Sequence, residues 1–322
     1  MQSLQTIKRR LRGVKSIGQI TKAMELVAAT KMRRSQTIAL ASRPYVYAAL
    51  ELLANLSRVS TNYTPMLLQK RLIKTTAVVV IASDKGLTGS FNSAVFRAFE
   101  KRFTKETFGR LPSEDIRKSD FRYIAVGQKA VSYVERRARI VEQAFTKFGD
   151  ITTLEETRPL ADLLVEGYLD GRWDKVSVLY TNFKSALQQE VITRDILPVD
   201  FASLKRTAEE IIPQTGRFAD EFREKGIQFF TDAKDREKEY IIEPSPKAAL
   251  DMLVPYLVVM QVYHIILEAN ASEHAARRLA MKNASDNAAD IVDTLTLEYN
   301  KSRQAGITKE LLEVTAGAEA LT

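Results

Sequence analysis

The two ends of this 322-residue chain carry apolar residues at helical spacing over lengths that no globular domain accommodates. In residues 4–58 the steps between apolar residues are three and four, which is the period of a coiled-coil seam. The last segment begins at Ser245-Pro246, a capping serine with a proline at the first helical position. Pro255 should kink its first turns, and after it no strong helix breaker comes before Gly317, apart from a lone Gly306. At 1.5 Å per residue the segment predicts a helix of roughly 100 Å. Two terminal helices of this size predict a stalk in which they pack against each other.

The spacing also predicts which residues face the partner helix. In the first helix they are Leu4, Ile7, Leu11, Val14, Ile17, Ile20, Met24 and Val27. In the last helix they are Leu250, Leu253, Leu257, Met260, His264 and Leu267, followed later by Val292, Leu295 and Tyr299. Both sets repeat with a period near 3.5 residues, as two supercoiled helices require.

Between these helices the pattern changes to short apolar strands that alternate with helices. Strands are predicted at residues 76–82, 121–126, 139–145, 175–180 and 191–196, and helices at residues 91–105, 128–137 and 154–169. The alternation predicts an α/β domain with a largely parallel sheet. The chain then divides into a coiled-coil helix at residues 1–58, an α/β domain at 72–198, a polar insertion or arm at 199–244 and a second coiled-coil helix at 245–322.

Few residues in the sequence suit catalysis or metal binding. There is no cysteine, and the two histidines, His264 and His274, both fall in the last predicted helix, ten residues apart. The loop at residues 83–90 follows a strand and precedes a helix, but it has neither a dinucleotide glycine fingerprint nor the lysine-serine ending of a P-loop. We therefore predict no catalytic, cofactor-binding or metal site.

The net charge of +8 is concentrated at the N-terminus. Residues 1–34 contain a single acid, Glu25, and nine basic side chains: Lys8, Arg9, Arg10, Arg12, Lys15, Lys22, Lys31, Arg33 and Arg34. Such a segment indicates an acidic partner, either nucleic acid or an acidic protein surface. The same residues include no aromatic side chain on which bases could stack, which favours the protein.

No membrane-spanning segment is predicted. The longest apolar stretch, residues 253–267, is interrupted by Pro255, Gln261 and His264 and falls short of the roughly 20 residues that a span needs. The N-terminus has no apolar signal core, so secretion is not expected, and the lack of a transit peptide favours the bacterial cytoplasm.

Five stretches of the chain resemble one protein family. They are GQITKAMELVAATKM at residues 18–32, SDKGLTGSFN at 83–92, ASEHAAR at 271–277, MKNASDN at 281–287 and YNKSRQAGIT at 299–308. In order and spacing they resemble the gamma subunit of the rotary ATP synthase, of bacterial type. The resemblance covers nearly the whole chain except residues 200–244.

The resemblance implies an antiparallel coiled coil of the two ends and a Rossmann-like α/β domain at its base. It implies a non-catalytic rotor shaft of a proton- or sodium-driven enzyme. The shaft stands inside a ring of alpha and beta subunits, and its foot docks on the epsilon subunit and the membrane rotor ring. The chain would then lie at the cytoplasmic face of the plasma membrane, held there through its complex.

The resemblance also implies which residues touch other subunits. Lys22, Met24, Arg277, Arg303 and Gln304 match positions where the shaft meets the ring, and Lys85 matches a basic position near acidic loops of beta. Position 88 is threonine where many members carry cysteine, and the arm lacks the two switch cysteines of chloroplast members, so redox control of that kind is not expected. Two other hypotheses stay open at this point: a coiled-coil nucleic-acid-binding protein with an α/β module, and an α/β enzyme with helical arms.

Overall fold

A computed structural model describes residues 4–41, 52, 63–103, 120–137, 141–149, 152–200 and 242–319. The predicted arm lies outside these residues except at 199–200 and 242–244, as does the predicted first helix beyond residue 41 except at Leu52. The chain forms two compact units, residues 1–29 with 277–322, and residues 30–276. The division into four segments made from the sequence stays a prediction.

The elements follow the predicted order, with a helix at each end and alternating strands and helices between. The helices are α1 (Leu4–Ala41), α2 (Phe91–Phe103), α3 (Gln128–Arg136), α4 (Leu154–Leu169) and α5 (Pro246–Glu319). The strands are β1 (Thr75–Ile81), β2 (Asp120–Val126), β3 (Val141–Phe145), β4 (Lys175–Phe183) and β5 (Gln189–Leu197). Every predicted strand is present, and most are short runs rich in β-branched or aromatic residues.

The five strands form one sheet in the order β3-β2-β1-β4-β5. The pairs β1–β2, β1–β4 and β2–β3 are parallel, and β4–β5 is an antiparallel hairpin. The prediction of a largely parallel sheet is therefore confirmed, with one antiparallel strand at the edge. The helical connections place the carboxyl ends of β1, β2 and β3 at the same edge of the sheet.

Alternate residues of the strands enter two separate hydrophobic cores, one on each face of the sheet. Val78 and Val80 of β1 pack with α2 and α3, whose contributions include Val95 and Phe99. On the other face Val79 packs with α4 and with the first part of α5. Because β1 is covered on both faces, its sequence is continuously apolar rather than alternating.

The first part of α5 is a core helix and not the coiled-coil strand that its spacing predicted. Residues 257–269 are almost all buried, whichever side of the helix they occupy. The expected seam residues Leu250, Leu257, Met260, His264 and Leu267 are indeed buried, and Leu253 is half-buried, but from residue 257 to residue 269 the residues between them are buried too. Ser245 begins this helix as predicted, since its hydroxyl oxygen accepts a hydrogen bond from the Ala248 N–H at 3.2 Å.

By length and apolar composition alone, α5 could cross a membrane, contrary to the sequence-based judgement that no stretch is long enough. Its apolar 18-residue stretch is 67 % buried inside the protein. The apolar composition is that of a helix packed between other elements of its own chain, as in the core of a soluble domain.

In the unit formed by the chain ends, the first half of the predicted α1 stripe is confirmed, since Ile7 is buried and Leu4, Leu11 and Val14 are half-buried. The second half differs from the prediction. Ile17, Ile20 and Val27 are 56 %, 59 % and 51 % exposed. The residues that face inward lie one position further along the chain: Gly18, Thr21, Glu25 and Ala28. These steps of three, four and three keep the coiled-coil period, but the side chains are small or polar. The prediction that Ile17, Ile20 and Val27 face the partner helix is therefore wrong.

On α5 of the same unit, the predicted seam is confirmed. Leu295 is buried, and Val292 and Tyr299 are half-buried on the same stripe. A Cβ placed on Gly18 would lie 3.4 Å from the Cβ of Ala288. Lys22 interacts electrostatically with Asp286, and Glu25 with Arg278 and Lys282. As the residue number on α1 increases from 18 to 25, the number of the contacting residue on α5 decreases from 288 to 278, so the two helices are antiparallel.

The contact between Gly18 and Ala288 gives a direct test of this register. A disulfide needs Cβ atoms about 3.5–4.5 Å apart, so we expect the double variant Gly18→Cys, Ala288→Cys to crosslink on oxidation. The wild-type chain has no cysteine that would interfere. The crosslink is measured as a mobility shift on a non-reducing gel that dithiothreitol reverses.

The matched control is Gly13→Cys with Ala288→Cys. Gly13 lies on the same helix, has no atom of another residue within 4 Å of a placed Cβ and is roughly 7.5 Å further along the axis. It should not crosslink. Equal crosslinking of the two pairs, or crosslinking of the control alone, would show that the register is wrong.

Candidate functional site

The residues predicted to contact other subunits fall in both units. Lys22, Met24, Arg277, Arg303 and Gln304 belong to the unit of paired helices, and Lys85 belongs to the α/β unit. Of these, Lys22, Lys85, Arg303 and Gln304 are exposed, whereas Met24 and Arg277 are half-buried. The structure thus leaves four of the six side chains open to a partner.

Lys22 is held by the one acid among the N-terminal basic residues. Its ammonium nitrogen lies 2.9 Å from Oε2 of Glu25, one helical turn further on. The side chain of Lys22 remains 58 % exposed, but the Glu25 carboxylate is largely enclosed at the helix interface. The hydrogen bond from Lys22 lowers the pKa of the Glu25 carboxyl, and the charges of Lys22, Arg278 and Lys282 lower it further, against the opposing effect of burial.

Met24 and Arg277 lie on facing helices near the same level. In the antiparallel register, Glu25 meets Arg278 and Lys282, so Met24 is opposite about residue 282 and within one to two turns of Arg277. Lys22, Met24 and Arg277 therefore belong to one stretch of the helix pair, next to the exposed apolar side chains of Ile17 and Ile20.

Arg303 and Gln304 are not part of that stretch. They lie roughly 25–30 Å further along α5 than the level of Lys22, counted from Asp286 at 1.5 Å per residue. Both side chains are exposed on the last third of the helix. The six predicted residues thus form at least two separate candidate contact surfaces in the unit of paired helices, and a third around Lys85.

The loop that carries Lys85 is closed by its own hydrogen bonds. The Asn92 side-chain oxygen accepts from the Ser83 N–H at 3.1 Å, and its amide nitrogen donates to the Ser83 hydroxyl at 2.8 Å and to the Thr88 hydroxyl at 3.1 Å. The Ser83 hydroxyl donates to the Lys85 carbonyl at 2.6 Å. Leu87 adopts a positive φ of 65°, an uncommon conformation that this network holds in place.

Asp84 ties this loop to two neighbouring loops. Its Oδ1 accepts from the Gln128 N–H at 2.8 Å, at the start of α3, and its Oδ2 accepts from the Lys147 N–H at 3.0 Å, just after β3. Gly127, with φ 90°, allows the close approach, because a Cβ there would lie 2.0 Å from the Ala82 carbonyl oxygen. One carboxylate therefore fixes the ends of three parallel strands relative to each other.

The first part of α5 contacts the edge of the sheet at which many Rossmann-like domains bind a cofactor. In this strand order the cofactor crevice lies at the carboxyl ends of β1 and β4. The Ser272 hydroxyl of α5 donates to the Thr181 carbonyl of β4 at 3.0 Å, and Ser272, Thr181 and Ser83 are all buried. The first part of α5 therefore packs against the carboxyl end of β4.

The part of the chain that the structure describes contains no group of three or more histidine, cysteine or acidic side chains arranged to hold a metal. His264 and His274 are buried in α5.

Two residues that matter for these surfaces were missed in the sequence. Glu25 carried a signal, since it is the single acid among nine basic side chains. Asp84 follows directly after a buried strand, where a carboxylate can reach the backbone N–H groups of the neighbouring strand ends. The sequence alone did not say which loops would come within reach.

The Glu25 cluster predicts a specific pH dependence of stability. The pKa of Glu25 is lower in the folded protein than its ordinary value, so the stabilisation is present above that ordinary value and is lost as the pH falls through the folded pKa. We expect Glu25→Gln to be less stable than wild type near neutral pH. The difference in the free energy of unfolding between wild type and Glu25→Gln should shrink as the pH falls to about 3–4. Urea unfolding of both proteins at several pH values measures this difference.

Glu298→Gln is the control for this experiment. Glu298 is exposed on α5 and forms no ion pair with another described residue. Its substitution should leave the free energy of unfolding nearly unchanged at every pH. A gap between wild type and Glu25→Gln that is constant with pH would contradict a role for the ionised carboxylate.

Asp84 predicts a loss of stability when its carboxylate is removed. Asp84→Ala leaves two backbone N–H groups without their acceptor, and hydrogen bonds to a charged group contribute about 1.5–3 kcal/mol each at most. We expect the free energy of unfolding to fall by about 1–3 kcal/mol, measured by chemical denaturation. Asp120→Ala, at an exposed strand end, is the control and should change it little. Equal stability of the two variants would contradict the role assigned to Asp84.

Known proteins match this chain along its whole length. Residues 3–321 match the family model described as ATP synthase. The chain is 37% identical over 324 residues to an ATP synthase gamma chain of Trichormus variabilis, covering 100% of both. It is 36% identical over 322 residues to the gamma chain of Chlorobaculum tepidum, covering 100% of this chain and 99% of the relative.

Solved structures show the same fold. The chain matches a component of the Euglena gracilis mitochondrial ATP synthase with a TM-score of 0.59 and 18% identity, covering 99% of this chain and 94% of the other. It matches a chain of the Tetrahymena thermophila central stalk and c-ring structure with a TM-score of 0.55 and 24% identity, covering 83% and 99%. With full-length identities of 36–37% to bacterial gamma chains, this protein belongs to the ATP synthase gamma chain family.

Proposed function

We propose that this chain is the central rotor shaft of a proton- or sodium-driven ATP synthase, and that it couples rotation of a membrane ring to conformational change in catalytic beta subunits. Gamma chains are non-catalytic subunits, and this chain matches them over its full length. The comparisons give no support to the nucleic-acid-binding alternative.

The observation that carries the proposal is the outward-facing apolar surface of α1. Ile17, Ile20, Leu26 and Val27 are all more than half exposed, whereas the seam toward α5 uses Gly18, Thr21, Glu25 and Ala28. A helix pair surrounded only by water would bury its large apolar side chains in the seam. Exposed apolar side chains beside basic ones suit a shaft enclosed by other subunits.

The end of α5 supports the same interpretation. Leu311, Leu312 and Val314 are 62 %, 64 % and 70 % exposed on one stretch of helix. In the family the tip of the shaft turns in a hydrophobic bearing, and these side chains would supply its apolar surface.

Such a shaft acts by differential contact. In each orientation it would touch open and closed beta subunits differently, and a difference in contact energy shifts the population between those conformations. Lys22, Met24, Arg277, Arg303 and Gln304 are the residues we assign to this contact, with Lys85 facing acidic loops of beta. The epsilon subunit and the membrane ring are the partners we assign to the foot, at the cytoplasmic face of the plasma membrane.

Reconstitution tests the proposal. The full chain is mixed with alpha and beta subunits, the complex is isolated and ATP hydrolysis is measured. We expect a stoichiometric complex whose turnover depends on this chain. Failure to form any complex with those subunits would overturn the proposed function.

Arg303 gives a residue-level test in the same complex. Its guanidinium is permanently charged and presents five donors, which suits a fixed polar partner, and it is exposed on α5. Truncating or reversing one partner of a buried charged contact costs on the order of 2–5 kcal/mol. We expect Arg303→Glu to assemble normally and to hydrolyse ATP at least about tenfold more slowly, since each 1.4 kcal/mol is a factor of ten.

Lys301→Glu is the matched control. It makes the same charge reversal two residues away on a different side of the helix, and glutamate is a good helix former at both positions. Its turnover should stay near that of wild type. Wild-type turnover of Arg303→Glu in a fully assembled complex would remove Arg303 from the contact surface.

A further inference from the structure

The first part of α5 is buried on every side, and apolar packing alone does not fix how such a helix is turned about its axis. Residues 257–269 are buried around the whole circumference of the helix. Hydrophobic burial is non-directional, so a helix of this kind could turn or slide between its neighbours while its apolar area stays buried. Hydrogen bonds from buried polar side chains are directional, and they favour one setting of the helix over the others.

Two polar side chains of α5 bond to neighbouring residues of β4. The Glu268 carboxylate oxygen Oε2 accepts a hydrogen bond from the Tyr180 hydroxyl at 2.9 Å, and the Ser272 hydroxyl donates to the Thr181 carbonyl at 3.0 Å. All four residues are buried. Because residues 268 and 272 are four apart, they lie on the same face of the helix. Both contacts therefore hold that face of α5 against one strand.

A third polar side chain holds the opposite face of the helix. The Asn270 side-chain nitrogen donates to the Thr152 hydroxyl at 2.7 Å, and Thr152 is buried just before the start of α4. At about 100° per residue, residue 270 lies roughly 180° around the helix from the midpoint of residues 268 and 272. Hydrogen bonds therefore hold α5 from two sides within little more than one helical turn.

The contact at Glu268 is costly to break because the carboxylate is buried. A buried carboxylate has lost its hydration and depends on hydrogen-bond donors and nearby positive charge. Arg194 of β5 is also buried, and its guanidinium carbon lies 5.8 Å from the centre of the Tyr180 ring. A turn of α5 that separated Glu268 from Tyr180 would leave the carboxylate without this donor, which disfavours any other setting of the helix.

We infer that Glu268, Asn270 and Ser272 form a polar anchor that fixes the rotational setting of α5 in the α/β domain and transmits torque between that domain and the shaft. α5 runs as one helix from the α/β unit into the unit of paired helices, so a twist applied to one part reaches the other along its backbone. The inference rests on the proposed function, since only a rotor carries torque. The three are positioning residues, because they act through the helix and not through a contact with another subunit.

A matched pair of double variants separates this role from stability. Tyr180→Phe with Ser272→Ala removes two hydroxyls that join α5 to β4. Tyr168→Phe with Ser177→Ala, the control, removes two hydroxyls of buried residues in the same unit whose hydrogen-bond acceptors lie outside α5. Because each pair loses the same groups, we expect chemical denaturation to show a similar loss of stability for both.

The free chain reports the setting of the helix without any partner subunit. Spin labels on cysteines that replace Met252 of α5 and Lys101 of α2, both exposed, give the distribution of distances between the two helices by electron spin resonance. The chain has no cysteine of its own to interfere. We expect a broader or shifted distribution for Tyr180→Phe, Ser272→Ala and the wild-type distribution for the control. Identical distributions for the two double variants would overturn the polar anchor.

The assembled enzyme tests the transmission of torque. The complete ATP synthase carrying each chain is placed in lipid vesicles, and ATP hydrolysis and ion uptake are measured with and without an opposing ion gradient. Because a lost hydrogen bond shifts a local equilibrium by about two- to tenfold, we expect Tyr180→Phe, Ser272→Ala to move at least about twofold fewer ions per ATP against the gradient. Without the gradient the load is low, and the ratio should equal that of wild type. The control should match wild type in both conditions.

The outcomes separate the two proposals. If both double variants lower the number of ions per ATP equally, or if neither does, the anchor transmits no torque and the inference is wrong, while an active wild-type enzyme leaves the rotor function intact. If the first double variant does not fold, Ser272→Ala alone is compared with Ser177→Ala alone by the same criteria. If the wild-type chain forms no complex, the proposed function fails and the torque role fails with it, while the spin-label distances still decide the setting of the helix.

Discussion

The close approach of α1 and α5 in the unit of the chain ends depends on small side chains. A Cβ on Gly18 would stand only 3.4 Å from Ala288, and Thr21, Glu25 and Ala28 continue the same stripe. Because these positions form the seam, the helical geometry turns Ile17, Ile20 and Val27 outward. The composition of the seam therefore decides that the large apolar side chains of α1 are available to other subunits.

Between residues 18 and 28 the buried seam residues of α1 are small or polar, so polar contacts carry more of the specificity there. Glu25 is largely enclosed between the helices and is surrounded by Lys22, Arg278 and Lys282. A buried carboxylate without these cations would be costly, so the pair of helices is favoured in the register that brings them together. The same arrangement holds the exposed ammonium group of Lys22 in a defined place.

In the α/β unit, polar contacts at the carboxyl edge of the sheet fix the arrangement of the loops. Parallel pairing of β1, β2 and β3 brings three loops to one edge, and Asp84 joins them with two hydrogen bonds. The strand order is that of a Rossmann-like sheet, and α5 contacts the carboxyl end of β4 through Ser272. The scaffold thus presents a loop whose backbone is held by its own hydrogen bonds, and the fold alone does not determine what that loop does.

The sequence by itself determined the order of the elements, the α/β alternation, the start of α5 at Ser245-Pro246 and, through its family motifs, the identity of the chain. Those features are local, since each depends on a few adjacent residues. Only the tertiary structure decided which face of α1 is buried. Hydrophobic spacing selected Ile17, Ile20 and Val27, because a pattern cannot tell a side chain buried against its own chain from one reserved for a partner. It also decided that the first part of α5 is a core helix, and that Asp84 reaches the loops after β2 and β3, because both depend on strand order and helix packing between residues far apart in the chain.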